Sequence, residues 1–131
     1  MSDVVWKPTG EYIEGSNIKR FMDKHGIKDY DDLVSRSCSD ISWFWDAVVK
    51  DLNIEWFEPY TKVVDQSEGI EWAKWFVGGK TNIAHNCLDR HAAAQKDKLA
   101  LIWEGEDGQI RKMTYGEMYS QVNRLANALK G

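Results

Sequence analysis

Residues 99–105 read Leu-Ala-Leu-Ile-Trp-Glu-Gly, and no other run limits the architecture as much. Strand alternation places Leu99, Leu101 and Trp103 on one face and Ala100 and Ile102 on the other. A strand apolar on both faces is expected inside a sheet covered on both sides. Glu106-Asp107-Gly108 is a turn signal. Gln109–Met113 then returns as a second strand. Thr114-Tyr115-Gly116-Glu117 has the pattern of a capping box. It opens a helix with Met118, Val122, Leu125, Ala126 and Leu129 on one face, and Gly131 stands where a C-terminal glycine belongs. No later strands follow to complete the sheet, so the sequence reads as cut short. The strand at 99–104 and the helix at 115–130 are expected to leave apolar faces uncovered, giving self-association or disorder at that end.

Upstream, residues 1–15 read as extended and irregular. Ser16 or Asn17 caps a short helix carrying Ile18, Phe21 and Met22, which Gly26 stops. Asp29 caps a second helix bearing Tyr30, Leu33 and Val34. Ser37-x-x-Asp40 resembles a capping box for a third, in which Ile41, Trp45, Val48, Val49 and Leu52 form one apolar stripe widened by Trp43 and Phe44. After Asn53 the chain reads as extended, with a short strand at 61–64. Residues 69–79 suit either a helical turn or a strand, and a helix is expected from Asn82 to about Ala94.

The bulk numbers exclude several classes. The 131 residues suit one domain or a piece of a larger one, 43% apolar and 29% charged. Net charge is −4 with no basic block, which argues against a nucleic-acid partner. No run approaches the ~18 apolar residues of a membrane span, and the N-terminus lacks the apolar core of a signal peptide. Cys38 and Cys87 do not make a disulfide framework and read as free thiols in a reducing compartment. A cytoplasmic protein is the default. Seven tryptophans are many for this length, and such rings are usually placed in a core or an interface.

Candidate chemistry is thin. Gly79-Lys80-Thr81 matches the end of a phosphate-binding loop, but the position that motif reserves for its first glycine is Lys74. A Gly-Gly turn into a helix capped by Thr81 or Asn82, with Lys80 in solvent, fits better. His85, Cys87 and His91 could offer metal ligands, yet match no zinc spacing. Cys87 reads as a small core residue and His91 as a half-buried, hydrogen-bonded one. Asp89, Arg90, Asp97 and Lys98 read as a solvated charged surface. Asp29, Asp31 and Asp32 lack the glycine and glutamate of a calcium loop and suit a helix N-terminus. Trp43, Phe44, Trp45, Trp56, Phe57, Trp72, Trp75 and Phe76 read as packing residues, or as a surface for a missing partner domain. The expectation is therefore no catalytic, cofactor-binding or metal-binding residue in this chain.

Three phrases carry a resemblance. Trp75, Phe76, Gly79, Asn82, Ala84, Asn86, Cys87, Leu88, Asp89, Arg90 and His91 make the first. Ala100, Ile102, Trp103, Glu104, Gly105, Asp107 and Gly108 make the second. Thr114, Tyr115, Glu117, Val122, Ala126 and Leu129 make the third. With them, and with residues 43–65, the chain resembles the start of AMP-forming acyl-CoA synthetases, most closely the acetyl-/propionyl-CoA synthetase branch of the adenylate-forming superfamily. The resemblance implies an α+β fragment. Residues 1–80 would be a helical N-terminal extension, and residues 81–131 a β-hairpin and helix that begin the large α/β AMP-binding domain. It implies a parent ligase joining a small carboxylate to CoA through an acyl-adenylate, with ATP and Mg as cofactors. It also implies that the phosphate loop, the adenylation lysine and the acyl pocket lie in later polypeptide. The fragment alone is then expected to be inactive, its partner the remainder of its own chain. The rivals are a self-contained Trp-rich protein-interaction module and a small metal- or nucleotide-binding protein.

Overall fold

The computed structural model describes residues 5–131, in two compact units. The described part of the first covers residues 5–54 and 62–75; the second covers 55–61 and 76–131. The expected division at residue 80 differs from this over residues 55–61 and 76–80.

The first unit is built around helices. A short helix α1 (Glu11–Glu14) interrupts the stretch expected to be irregular. Helix α2 (Asn17–Lys24) starts at Ser16, whose hydroxyl accepts the Lys19 amide at 3.0 Å. Gly26 follows the helix at φ +64°, the left-handed conformation that a Cβ disfavours, and so turns the chain away. Helix α3 (Tyr30–Ser39) is capped by Asp29, which accepts the Asp32 amide at 2.9 Å. Helix α4 (Ile41–Asp51) is capped by Asp40 alone, through the Trp43 amide. The capping box expected from Ser37 does not form. Ser37 lies inside α3, and its hydroxyl donates back to the Val34 carbonyl instead. Phe21, Met22, Ile27, Leu33 and Ala47 form the core of this unit, with Trp43, Phe44 and Val48 packed around it.

Strand β1 (Lys62–Asp65) pairs with β2 (Lys74–Val77) in a two-stranded sheet. Val64 is buried, and β1 packs on α4. The ambiguous stretch before β2 contains both candidates: a 3-10 turn at Ile70–Trp72, then the strand.

In the second unit a π-helical turn, His85–Asp89, leads into α5 (Arg90–Gln95). Strand β3 (Leu99–Glu104) and β4 (Ile110–Thr114) form an antiparallel hairpin, and α6 (Tyr115–Lys130) packs back on both. The box at Thr114 is complete. Its hydroxyl accepts the Glu117 amide, and the Glu117 carboxylate accepts the Thr114 amide at 2.8 Å. In β3, Leu99 faces Thr114 but Leu101 faces Met113, so one extra residue bulges the strand at this point. The bulge breaks the expected clean alternation. Nor is β3 covered on both sides: Leu101 is 42% exposed, Ile102 63% and Trp103 45%. The apolar faces expected to stand open at this end do so, for Leu125 is 62% and Leu129 80% exposed on α6.

Candidate functional site

The densest polar arrangement in the second unit gathers around the turn from Thr81 to Arg90. Asn82 caps it, its side-chain oxygen accepting the Ala84 and His85 amides at 2.8 and 3.3 Å. Four residues on, Asn86 reaches back to Glu55. Its Oδ1 accepts the Glu55 amide at 2.8 Å and the Arg90 guanidinium at 3.2 Å. Its Nδ2 donates to the Glu55 carbonyl at 3.0 Å and to Thr81 Oγ1 at the same distance. The Thr81 hydroxyl donates to that Glu55 carbonyl at 2.8 Å. Both backbone groups of Glu55 are thus held by side chains some thirty residues later in sequence.

The Glu55 carboxylate joins the same network. His85 Nε2 lies 2.6 Å from Oε2, and Arg90 Nη1 lies 3.8 Å from Oε1. The other face of the imidazole looks toward Asp89, with Nδ1 3.9 Å from Oδ2, and Phe57 stacks beside the ring. The His85 hydrogen bond outweighs the desolvation that opposes it and, with the charges of Arg90, His85 and His91, holds the Glu55 carboxyl below its ordinary value. Chemically this is an anchor. The Asn86 amide, the Thr81 hydroxyl and the Glu55 carboxylate bond within the network, and the imidazole nitrogens face two carboxylates.

The glycine-lysine stretch is equally self-satisfied. The Lys80 amide donates to the Glu58 carbonyl at 2.8 Å, and the Gly79 amide to the Phe76 carbonyl at 2.9 Å. A phosphate cradle needs such amides free. Lys80 points to solvent and pairs with Glu58 at 2.6 Å; Lys74 sits on β2 and pairs with Glu68. Gly79 is there for space, since a Cβ would stand 2.7 Å from the Trp56 ring.

His85, Cys87 and His91 are not brought together. His85 turns to Glu55, and the His91 ring lies against Tyr115 at 5.5 Å. Cys87 is exposed rather than in the core; within the π turn its neighbour Leu88 takes the buried position. Among the described residues no group of three potential ligands clusters. Arg90 is also not on a solvated surface, being mostly buried in the network, while Asp97 and Lys98 are exposed. Asp29 and Asp32 serve the start of α3, where Asp32 accepts the Lys28 amide. The aromatics divide. Phe21, Trp43 and Phe44 pack together in one unit, Trp56, Tyr60 and Phe76 in the other, and Phe57 and Trp72 are exposed. Glu55 and Thr81 were not legible as members of a site, because nothing local in "IEWFEP" points to a partner thirty residues away.

Comparison with known proteins decides what this arrangement belongs to. The sequence profile described as acetyl-coenzyme A synthetase N-terminus matches residues 30–87. The acetyl-coenzyme A synthetase of Methanothrix soehngenii is 41% identical over 131 residues, covering 96% of this chain and 19% of that protein. That of Wolinella succinogenes is 40% identical, covering 98% and 18%. The chain belongs to the acetyl-CoA synthetase family. Its fold agrees, for an acetoacetyl-CoA synthetase from Streptomyces lividans superposes with a TM-score of 0.84 at 29% identity, over 95% of this chain and 20% of that one. The chain spans about a fifth of the length of the synthetases it matches and corresponds to their N-terminal end. Of the first phrase, Asn86 and Arg90 hold Glu55, and Asn82 caps the turn that carries them.

Proposed function

We propose that this chain is the opening scaffold of an AMP-forming short-chain acyl-CoA ligase, with residues 1–80 as its helical extension and 81–131 as the start of its AMP-binding domain. In the parent reaction a carboxylate attacks ATP to give an acyl-adenylate and pyrophosphate. The thiol of CoA then displaces AMP. Magnesium offsets the phosphate charge. The residues present do not fit any of these groups: the Gly79 and Lys80 amides are bonded within the chain, and the Glu55–His85 network is closed. No step is assigned to them. The observation that carries this reading is the pairing of a satisfied polar anchor with uncovered apolar faces on β3 and α6. Those faces suit the rest of the ligase polypeptide as partner. Without that cover the chain is expected to associate with itself. The free thiols of Cys38 and Cys87 support a cytoplasmic setting; among the described residues no helix is long and apolar enough to cross a membrane.

The test is a coupled assay of the purified 131 residues with acetate or propionate, ATP, Mg²⁺ and CoA. No acyl-CoA should form. Turnover by this chain alone would overturn the scaffold reading. A Trp-rich interaction module is the rival, favoured by the exposed Trp72; failure of the chain to bind the C-terminal four-fifths of an acetyl-CoA synthetase added in trans would favour it.

A further inference from the structure

Asp107 is the only aspartate or asparagine in the chain that precedes a glycine. That dipeptide is intrinsically labile. With no Cβ on the following residue, the backbone nitrogen can come close to the aspartate Cγ and close a five-membered ring. The pair sits at the exposed tip of the β3–β4 hairpin. Gly108 takes φ +77°, the left-handed position that ends a three-residue loop between antiparallel strands.

The native turn engages both reacting groups elsewhere. The Gly108 amide, which would be the nucleophile, donates to the Gly105 carbonyl at 2.9 Å. The Asp107 carboxylate, which would be the electrophile, accepts the Gln109 amide through Oδ1 at 3.1 Å. It also folds back over Gly105, where a Cβ would stand 2.7 Å from Oδ1. The Gly105 amide closes the turn on the Gln109 carbonyl at 2.8 Å. All of these partners lie within residues 105–109, so the constraint is local to the turn. Attack requires the Gly108 N–H to leave the Gly105 carbonyl and the carboxylate to leave the Gln109 amide, which is a local opening of the chain.

We propose that Asp107 is a site of spontaneous aspartyl isomerisation, gated by opening of the turn at residues 105–109. In the open turn Gly108 N bonds to Asp107 Cγ. One carboxyl oxygen leaves as water, taking the amide proton and one proton from solvent. Water then adds to the main-chain carbonyl carbon of Asp107, and the bond from that carbon to Gly108 N breaks. The chain is left joined through Cγ, with a free carboxylate on the former main-chain carbon and no net change in mass. The isoaspartyl link adds one carbon to the backbone between β3 and β4, which breaks the closure of Gly105 on Gln109.

Ageing the 131-residue chain at neutral pH tests it. Trypsin cuts after Lys98 and Arg111, so the site is followed on one peptide, Leu99–Arg111, which holds no other aspartate or asparagine. Its aspartyl and isoaspartyl forms have equal mass and separate by chromatography. A synthetic peptide of the same sequence, which has no partner to hold its turn, gives the rate in the open state. The native chain should convert, and do so roughly tenfold or more slowly than the peptide, by the factor that protects the Gly108 amide from hydrogen exchange, since one opening frees both. No product in the native chain under conditions that convert the peptide overturns the inference. So does conversion as fast as in the peptide, or a slowing that differs from the protection of the Gly108 amide.

Discussion

Asn86 shows how much one side chain decides in the second unit. Its amide accepts from Glu55 and Arg90 and donates to Glu55 and Thr81. Truncation leaves the backbone groups of Glu55 without those partners, and a lost hydrogen bond costs about 1 kcal/mol net, more where a partner is stranded. Asn86→Ala should therefore destabilise the chain by roughly 2 kcal/mol in urea unfolding. Glu55 itself adds a pH dependence. Its carboxyl is held below its ordinary value, chiefly by His85. The unfolded chain then binds the extra proton first, so this contribution is complete above the ordinary carboxylate range and is lost as pH falls through the depressed value. Glu55→Gln should flatten the acid limb of a stability–pH curve while leaving the slopes due to Asp65 and Glu117, whose carboxyls are depressed as well. An unchanged limb would mean that the His85 contact does not persist in solution.

At the scale of elements, local signals and packing contribute separately. Thr114 and Glu117 form a reciprocal cap that the S/T-x-x-E pattern announces without reference to the rest of the fold. Thr114→Ala should cost about 1 kcal/mol, read as a lower midpoint with unchanged m-value. Leu33, buried among the helices of the first unit, is a packing residue; Leu33→Ala should cost roughly 2–4 kcal/mol by the same measurement. The contrast with Ser37-x-x-Asp40 is instructive. The letters resemble the same box, but α3 runs on through Ser39, so Ser37 is interior to one helix and Asp40 alone starts the next. A capping pattern is read over four residues, whereas the end of a helix depends on what its apolar face is packed against. Cys87 misled for a related reason: the π turn shifts which side chain points inward, and Leu88 takes the place that regular helical spacing gives elsewhere.

For the whole molecule, the informative feature is surface left apolar. Leu125 and Leu129 on α6 and Ile102 on β3 stand in solvent, where a finished sheet would cover them. An apolar dye such as anilinonaphthalene sulfonate should bind the native chain. Leu125→Lys should reduce that fluorescence without lowering the unfolding midpoint, because the side chain makes little of the core. A chain that binds no dye would show that these faces are masked in solution.

Helices α2, α3, α4 and α6, the β3–β4 hairpin and most of the helix caps were already decided by short-range chemistry. Ser16, Asp29 and Thr114 offer side-chain oxygens to helix amides, Gly26 accepts a positive φ, and a two-faced apolar strand precedes an amphipathic helix. These depend on neighbours within a few residues, so they can be read along the chain. What the tertiary structure alone decided is which distant groups meet: Glu55 with Thr81, His85, Asn86 and Arg90, and the Trp56 ring with Gly79. Hydrogen bonds and ring contacts across more than twenty residues leave no periodic trace in the intervening sequence, because their energy depends on distance in space and not on position along the chain.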